Sequence, residues 1–315
     1  MPGSPVIPDD SRLEAARFQG RIGLRTFGER IIKGICFSFA LVSVITTLGI
    51  IYVLISQSLP FFTEVSPTKF LSGRVWAPTP EPGKFGVIPL VTGTLMITVG
   101  SGIISIPLGL LSAIFMSEYA PKRLRGLLKP LLELLAGIPT VVYGYFGLFV
   151  VTPVLKQFIP GIESSNALSG AIVVGIMILP LVSSLCEDAL TAVPHSLREA
   201  AYGLGATKTE VTTRTVLPAA LSGVMASFIL ALSRAFGETM AVTLAAGSNP
   251  VLTFNPTKAI ETMTAYIVST SKGDAGQGTI RYNSIFAVGV MLFFLTMVMN
   301  VIAHRLVKKF RQVYS

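Results

Sequence analysis

Two charged residues stand where charge is expensive. The run Ala231-Leu-Ser-Arg-Ala-Phe-Gly-Glu-Thr-Met-Ala-Val242 sets Arg234 and Glu238 near the middle of an otherwise apolar stretch. At the centre of a membrane helix each such charge costs about 2.5–3.5 kcal/mol on insertion scales. The run reads as one helix, and their four-residue spacing places both on one face, about 6 Å apart along the axis. There they can pair with each other or with a second subunit. Two readings follow. Arg234, with Glu238 and Thr239 beside it, lines an anion path and offsets the solute's charge, or the two charges form an interhelical ion pair that only holds structure.

A second cluster is Pro194-His-Ser-Leu-Arg-Glu-Ala-Ala-Tyr-Gly-Leu-Gly-Ala-Thr-Lys-Thr-Glu210. Ser196 and Glu199 have capping-box spacing, which predicts a helix starting at Ser196. Ala200, Ala201 and Leu204 give it a small apolar face, and Gly205 is a natural stop. Thr207 and Glu210 repeat the capping pattern and open a second helix toward Leu217-Pro218. A short exposed helix with small residues suits the groove of a partner; a loop lying on lipid headgroups is the alternative. Gly203–Thr209 also looks like a phosphate-binding loop. Thr207 stands where that loop needs glycine before the lysine, and a helix precedes it where a strand is needed. Nucleotide binding by this chain is therefore rejected. Cys36 and Cys186 give neither a disulfide framework nor metal spacing. His195 and His304 are far apart, so no metal or cofactor is assigned.

The elements that position these residues are membrane helices. Of 315 residues, 51% are hydrophobic and only 13% charged, where a soluble chain carries about 25% charge. The mean hydropathy is +0.69. A span needs about 20 apolar residues, and six runs qualify: 31–54, 91–116, 127–155, 167–185, 221–246 and 284–307. The reading is an all-α membrane protein with about six spans in a transmembrane domain over 31–310, a tail over 1–30 and a short one over 311–315. The tail carries Pro2, Pro5 and Pro8, then a short amphipathic helix near Leu13–Phe18. The first run is too long for a signal-peptide core and lacks a cleavage site, so it stays as an anchor.

The net charge of +9 does not signal nucleic acid, because the basic residues sort by membrane side. They gather before the first run (Arg12 to Lys33), between the second and third (Lys122, Arg123, Arg125, Lys129), over 186–218 (Arg198, Lys208, Arg214) and after the last (Arg305 to Arg311). The positive-inside rule puts these segments and both termini in the cytoplasm. The proline-bearing loop 56–88 and the loop 247–283 then lie outside. Gly137-Ile-Pro139 is read as a kink that can line a path. Glu133, on the cytoplasmic side of that run, can snorkel or pair with a basic neighbour.

Glu199-Ala200-Ala201, three residues, Gly205, then Leu217-Pro218 resembles the EAA loop of ABC importer permeases of the MetI-like superfamily. Thr215 departs from it, standing where an apolar residue is usual. The resemblance implies that Glu199–Gly205, with Ser196, is a coupling helix docking into a separate ATPase. Ser233-Arg-Ala-Phe-Gly-Glu-Thr-Met-Ala-Val242 and Leu135-Ala-Gly-Ile-Pro-Thr-Val-Val-Tyr-Gly144 are similar to signatures of phosphate ABC importer permeases. Met240-Ala-Val and Ala245-Ala-Gly247 are closer to the PstC type than to its paralogue PstA. This implies a non-catalytic permease subunit, with Arg234 and Glu238 on the substrate path. It also implies a PstA-type partner, a PstB-type ATPase dimer and a PstS-type phosphate-binding protein. Importers of other oxyanions, such as sulfate or molybdate, and secondary transporters or channels are the competing readings.

Overall fold

The computed structural model describes residues 10–310 except 80, 81 and 274. Pro2, Pro5, Pro8 and the tail 311–315 lie outside the described residues. The chain forms two units, residues 1–56 and 57–315.

The described part of the first unit is helix α1 (Asp10–Glu64), whose last residues, from Gln57, belong to the second unit. A polar tail with a separate short helix at Leu13–Phe18 was expected before the first span. One helix covers both, because no proline interrupts it before Pro60 and isolated glycines such as Gly20 and Gly28 cost only about 1 kcal/mol each. The helix also takes in the start of the loop expected over 56–88.

The second unit opens with α2 (Pro67–Ser72) and a two-strand ladder, β1 (Trp76–Ala77) against β2 (Lys84–Phe85), with Trp76 opposite Phe85. Phe61, Phe70, Trp76, Phe85 and Tyr266 meet edge to face, their centroids 4.8–6.3 Å apart, the arrangement ring quadrupoles favour. Helix α3 (Ile88–Ile114) follows and ends in a wide π-turn, Phe115–Tyr119. After α4 (Lys122–Ala136) come α5 (Thr140–Phe146), a wide turn at Gly147–Val151 and α6 (Thr152–Phe158). Helix α7 (Ala167–Thr191) leads to α8 (His195–Gly203), α9 (Lys208–Glu210), a wide turn at Val211–Val216 and α10 (Leu217–Ala219). Then come α11 (Leu221–Phe236), α12 (Met240–Ala245), α13 (Met263–Lys272) and α14 (Ile280–Phe310).

Among the described residues five helical segments are long and apolar enough to cross a bilayer: Glu29–Glu64, Ile88–Tyr119, Thr140–Phe158, Ala167–Thr191 and Ile280–Lys308. A sixth exists if Lys208–Ala219 and Leu221–Phe236, bent by 71°, count as one span. Two of the six expected runs are therefore not single helices. The run 127–155 breaks at Gly137-Ile138-Pro139, since proline cannot donate and biases the residue before it away from helix. The run 221–246 breaks at Gly237–Thr239.

Helices α3 and α7 form the central pair. Their backbones approach where small residues face each other: a Cβ on Gly100 would lie 2.8 Å from that of Ala171, and small residues are how helices pack closely in lipid. The start of α7 is capped by Asn166, whose side chain accepts from the Ser169 N–H at 2.7 Å, while Ala167 and Leu168 donate to the carbonyls of Lys258 and Pro256.

Helix α4 is held on α7 by charge. Glu187 is fully buried and accepts from Arg125 and from Lys129, the latter at 2.8 Å; Lys129 also reaches Asp188 at 2.9 Å. Hydrogen bonds to these two carboxylates hold the Lys129 ammonium above its ordinary pKa. Leu127, Leu131 and Leu134 are exposed on this helix. Glu133 is exposed too and pairs with no described basic residue, so the pairing considered for it is not formed.

Candidate functional site

The 186–218 segment builds a compact platform. The helix expected from Ser196 starts one residue earlier, at His195, after Pro194. No side chain caps it there, so Ser196 is not the cap and the first capping box does not form. The proline supplies the boundary instead, its fixed φ leading the chain in. The end is as expected. Gly205 has φ +83°, its N–H donates to Tyr202 at 2.9 Å, and the Ala206 N–H reaches Ala201 at 3.2 Å. That is the Schellman pair of bonds, which needs a left-handed residue and so favours glycine. The second capping box forms between Thr207 and Glu210. Donation from the Thr207 backbone and hydroxyl lowers the Glu210 carboxyl's pKa. The stretch that looks like a phosphate-binding loop is thus a helix end and a cap.

On α8, Leu197 and Ala201 turn inward against the apolar core, while Ser196, Glu199, Ala200 and Gly203 are exposed and Leu204 is 90% exposed. Arg198 anchors the inner side. Its guanidinium donates to the carbonyl oxygens of Leu190 (2.9 Å), in the last turn of α7, and Val193, two residues past its end, and to Glu118 at 2.9 Å. A cation on the last carbonyls of a helix complements its dipole.

The charged break is the second site. Helix α11 stops at Phe236, so Arg234 and Glu238 do not share a helix face, and no ion pair joins them. Each is matched to a helix end instead. Arg234 lies in the last turn of α11, about 20 Å along its axis from Leu221. Glu238 precedes α12, is 8% exposed, and accepts from the Ala241 N–H at 3.2 Å. Cations suit C-termini and carboxylates N-termini. Arg234 is exposed and pairs with no described carboxylate. The Thr239 hydroxyl donates to the Gly237 carbonyl, and the Glu238 carbonyl accepts from Thr264 at 2.8 Å.

The two quoted signatures meet at this point. Helix α5, from the Leu135–Gly144 run, packs on α12, and a Cβ on Gly144 would lie 2.9 Å from Leu244. Tyr143 closes the break before α5 by donating to the Leu135 carbonyl at 2.7 Å.

Sequence reasoning missed Glu261. It is 5% exposed, in the loop between α12 and α13, with the Ser269 hydroxyl donating to it at 3.3 Å. Burial raises its carboxyl to about 7, from an ordinary value near 4.5. A raised folded-state value means protonation favours the fold. The contribution is full below about pH 4.5 and is lost as pH rises through 7. Glu261→Gln is expected to flatten thermal stability across that window; a thermal-shift series from pH 5 to 8 in detergent that still declines in the variant would exclude this carboxyl as the cause.

The chain matches known proteins over most of its length. Residues 105–312 fit the family described as "Binding-protein-dependent transport system inner membrane component". A probable ABC transporter permease protein, YqgH, of Bacillus subtilis is 38% identical over 74% of this chain and 75% of its own. A phosphate transport system permease protein PstC of Mesorhizobium japonicum is 36% identical over 74% and 76%. In fold, a chain of a bacterial alginate ABC transporter crystallised with a pentasaccharide-bound periplasmic protein superposes at TM-score 0.60 and 17% identity, over 89% of this chain and 96% of that one. This multi-pass membrane protein belongs to the family of inner-membrane components of binding-protein-dependent transport systems.

Proposed function

We infer that this chain is the permease subunit of an ATP-driven importer of inorganic phosphate that works by alternating access. It pairs with a PstA-type permease, while a PstB-type ATPase dimer hydrolyses ATP and a PstS-type binding protein delivers the anion. The chain itself is non-catalytic, and both termini face the cytoplasm. The observation that carries the cargo is the 36% identity to a phosphate transport system permease.

The residues support this reading. Ser196, Glu199, Ala200 and Ala201 belong to the helix that enters the ATPase, Gly205 closes its end, and the bare Leu204 suits a groove. Arg234 faces the anion, with Glu238 and Thr239 fixing the break beside it. ATP is needed because each charge costs about 2.3 kcal/mol to move against 100 mV, and phosphate enters an inside-negative cell. Whole-cell uptake of labelled phosphate is expected to persist in a large excess of sulfate or molybdate. Strong competition by either would move the cargo to that oxyanion.

A further inference from the structure

We propose that Glu118 and Arg198 form the joint through which movement of α8 reaches the helix break beside Arg234, by way of α3. This rests on α8 being the ATPase-docking helix. The joint is well built. The Arg198–Glu118 ion pair is 2.9 Å long, its side chains 12% and 7% exposed, and Ser117 also donates to Glu118 at 3.0 Å. A second fastening lies one residue on, where Tyr119 meets Thr209 at 3.4 Å and Lys208 sits 4.8 Å over the Tyr119 ring. The π-turn ending α3 is therefore tied to both helices of the loop, and the surface left for a partner is the opposite side of α8, at Glu199, Ala200 and Leu204.

From this joint α3 is continuous helix back to Ile88, about 48 Å at 1.5 Å per residue. Near its far end Thr94 accepts from the Met263 N–H at 3.1 Å. Thr264 is the next residue, and its hydroxyl donates to the Glu238 carbonyl at 2.8 Å. The ion pair, one continuous helix that contains Pro107, two hydrogen bonds and the Met263–Thr264 peptide thus link α8 to residues 237–239. A pull on α8 that keeps the Arg198–Glu118 pair intact moves Glu118 and α3 with it. Contiguity alone does not demonstrate coupling, so the test reads coupling itself. Glu118 and Arg198 are positioning residues here, remote from the anion.

The full transporter, reconstituted in proteoliposomes with its ATPase, partner permease and binding protein, is assayed for ATP hydrolysed per phosphate imported. Glu118→Gln and Arg198→Gln are each expected to raise that ratio about tenfold, within the usual range of coupling effects. The ATPase should still co-purify. The double variant should be no worse than either single one, as for two residues acting as a unit. Thr94→Val should raise the ratio as well.

A ratio within twofold of the parent in Glu118→Gln complexes that retain ATPase overturns the joint, as do losses that multiply in the double variant. Loss of ATPase from these complexes overturns it too, by placing the pair in docking. A normal ratio in Thr94→Val overturns the route through α3. Retention of ATPase by Leu204→Asp instead removes the docking reading of α8, an outcome distinct from all of these.

Discussion

Arg234→Leu is expected to abolish phosphate uptake while the transporter still assembles. The guanidinium is exposed in the isolated chain, at the end of α11, and no described carboxylate neutralises it. Removing it therefore leaves no orphaned partner inside this subunit, and the fold should be indifferent. For the anion the change is large. Truncating one side of a desolvated charge pair costs about 2–5 kcal/mol, which is about 30-fold to several thousand-fold in rate. Arg234→Lys keeps the charge but loses the planar fork that grips an oxyanion through two donors, so it should fall between. The measurement is labelled-phosphate uptake in cells whose permease level is checked by immunoblot. Normal uptake by Arg234→Leu removes this residue from the path and leaves a structural charge completed by the partner subunit.

The second large effect concerns power. Gly205→Pro asks a φ of +83° of a residue fixed near −65°, and it deletes the N–H that closes the end of α8. The helix end should unwind and release the ATPase. Because that change disturbs the platform as well as the contact, Leu204→Asp is the cleaner companion. The Leu204 side chain has almost nothing to touch in this chain, so an acidic group there leaves the fold alone and acts only on a docked partner. Hot-spot losses of about 2 kcal/mol or more are usual at such anchors, which is about 30-fold or more in affinity. Both variants should lose the ATPase on affinity purification and lose uptake with it. If the ATPase stays bound to both and transport persists, α8 is not the coupling helix.

The sequence exposed some of these features and hid others for physical reasons. Hydropathy finds apolar runs but does not see their ends meeting inside one run. The break at Gly137-Ile-Pro139 carried a proline and was visible as a bend. The break at Gly237 carries none, and the four-residue spacing of Arg234 and Glu238 suggested a shared face that the helix end removes. Gly205 and the Thr207–Glu210 box were legible because their bonds are local. Ser196 was misleading because Pro194, two residues earlier, sets the boundary. Glu187 with Arg125, and Glu118 with Arg198, lie 62 and 80 residues apart, so nothing in local spacing announces them. Nothing in local spacing announces Glu261 either, since it is buried only in the folded chain.

The fit of Gly144 against Leu244 has a consequence for how such a transporter can change over generations. On that flank of α12 even one added methyl has nowhere to go, so inherited variation there is confined to what leaves the geometry as it is. The Arg234 flank has no such constraint from this chain. On the proposed assignment of Arg234 to the anion path, a lineage adapting to a different anion would accumulate its substitutions on the open flank and in the partner permease, and the two genes would have to drift together.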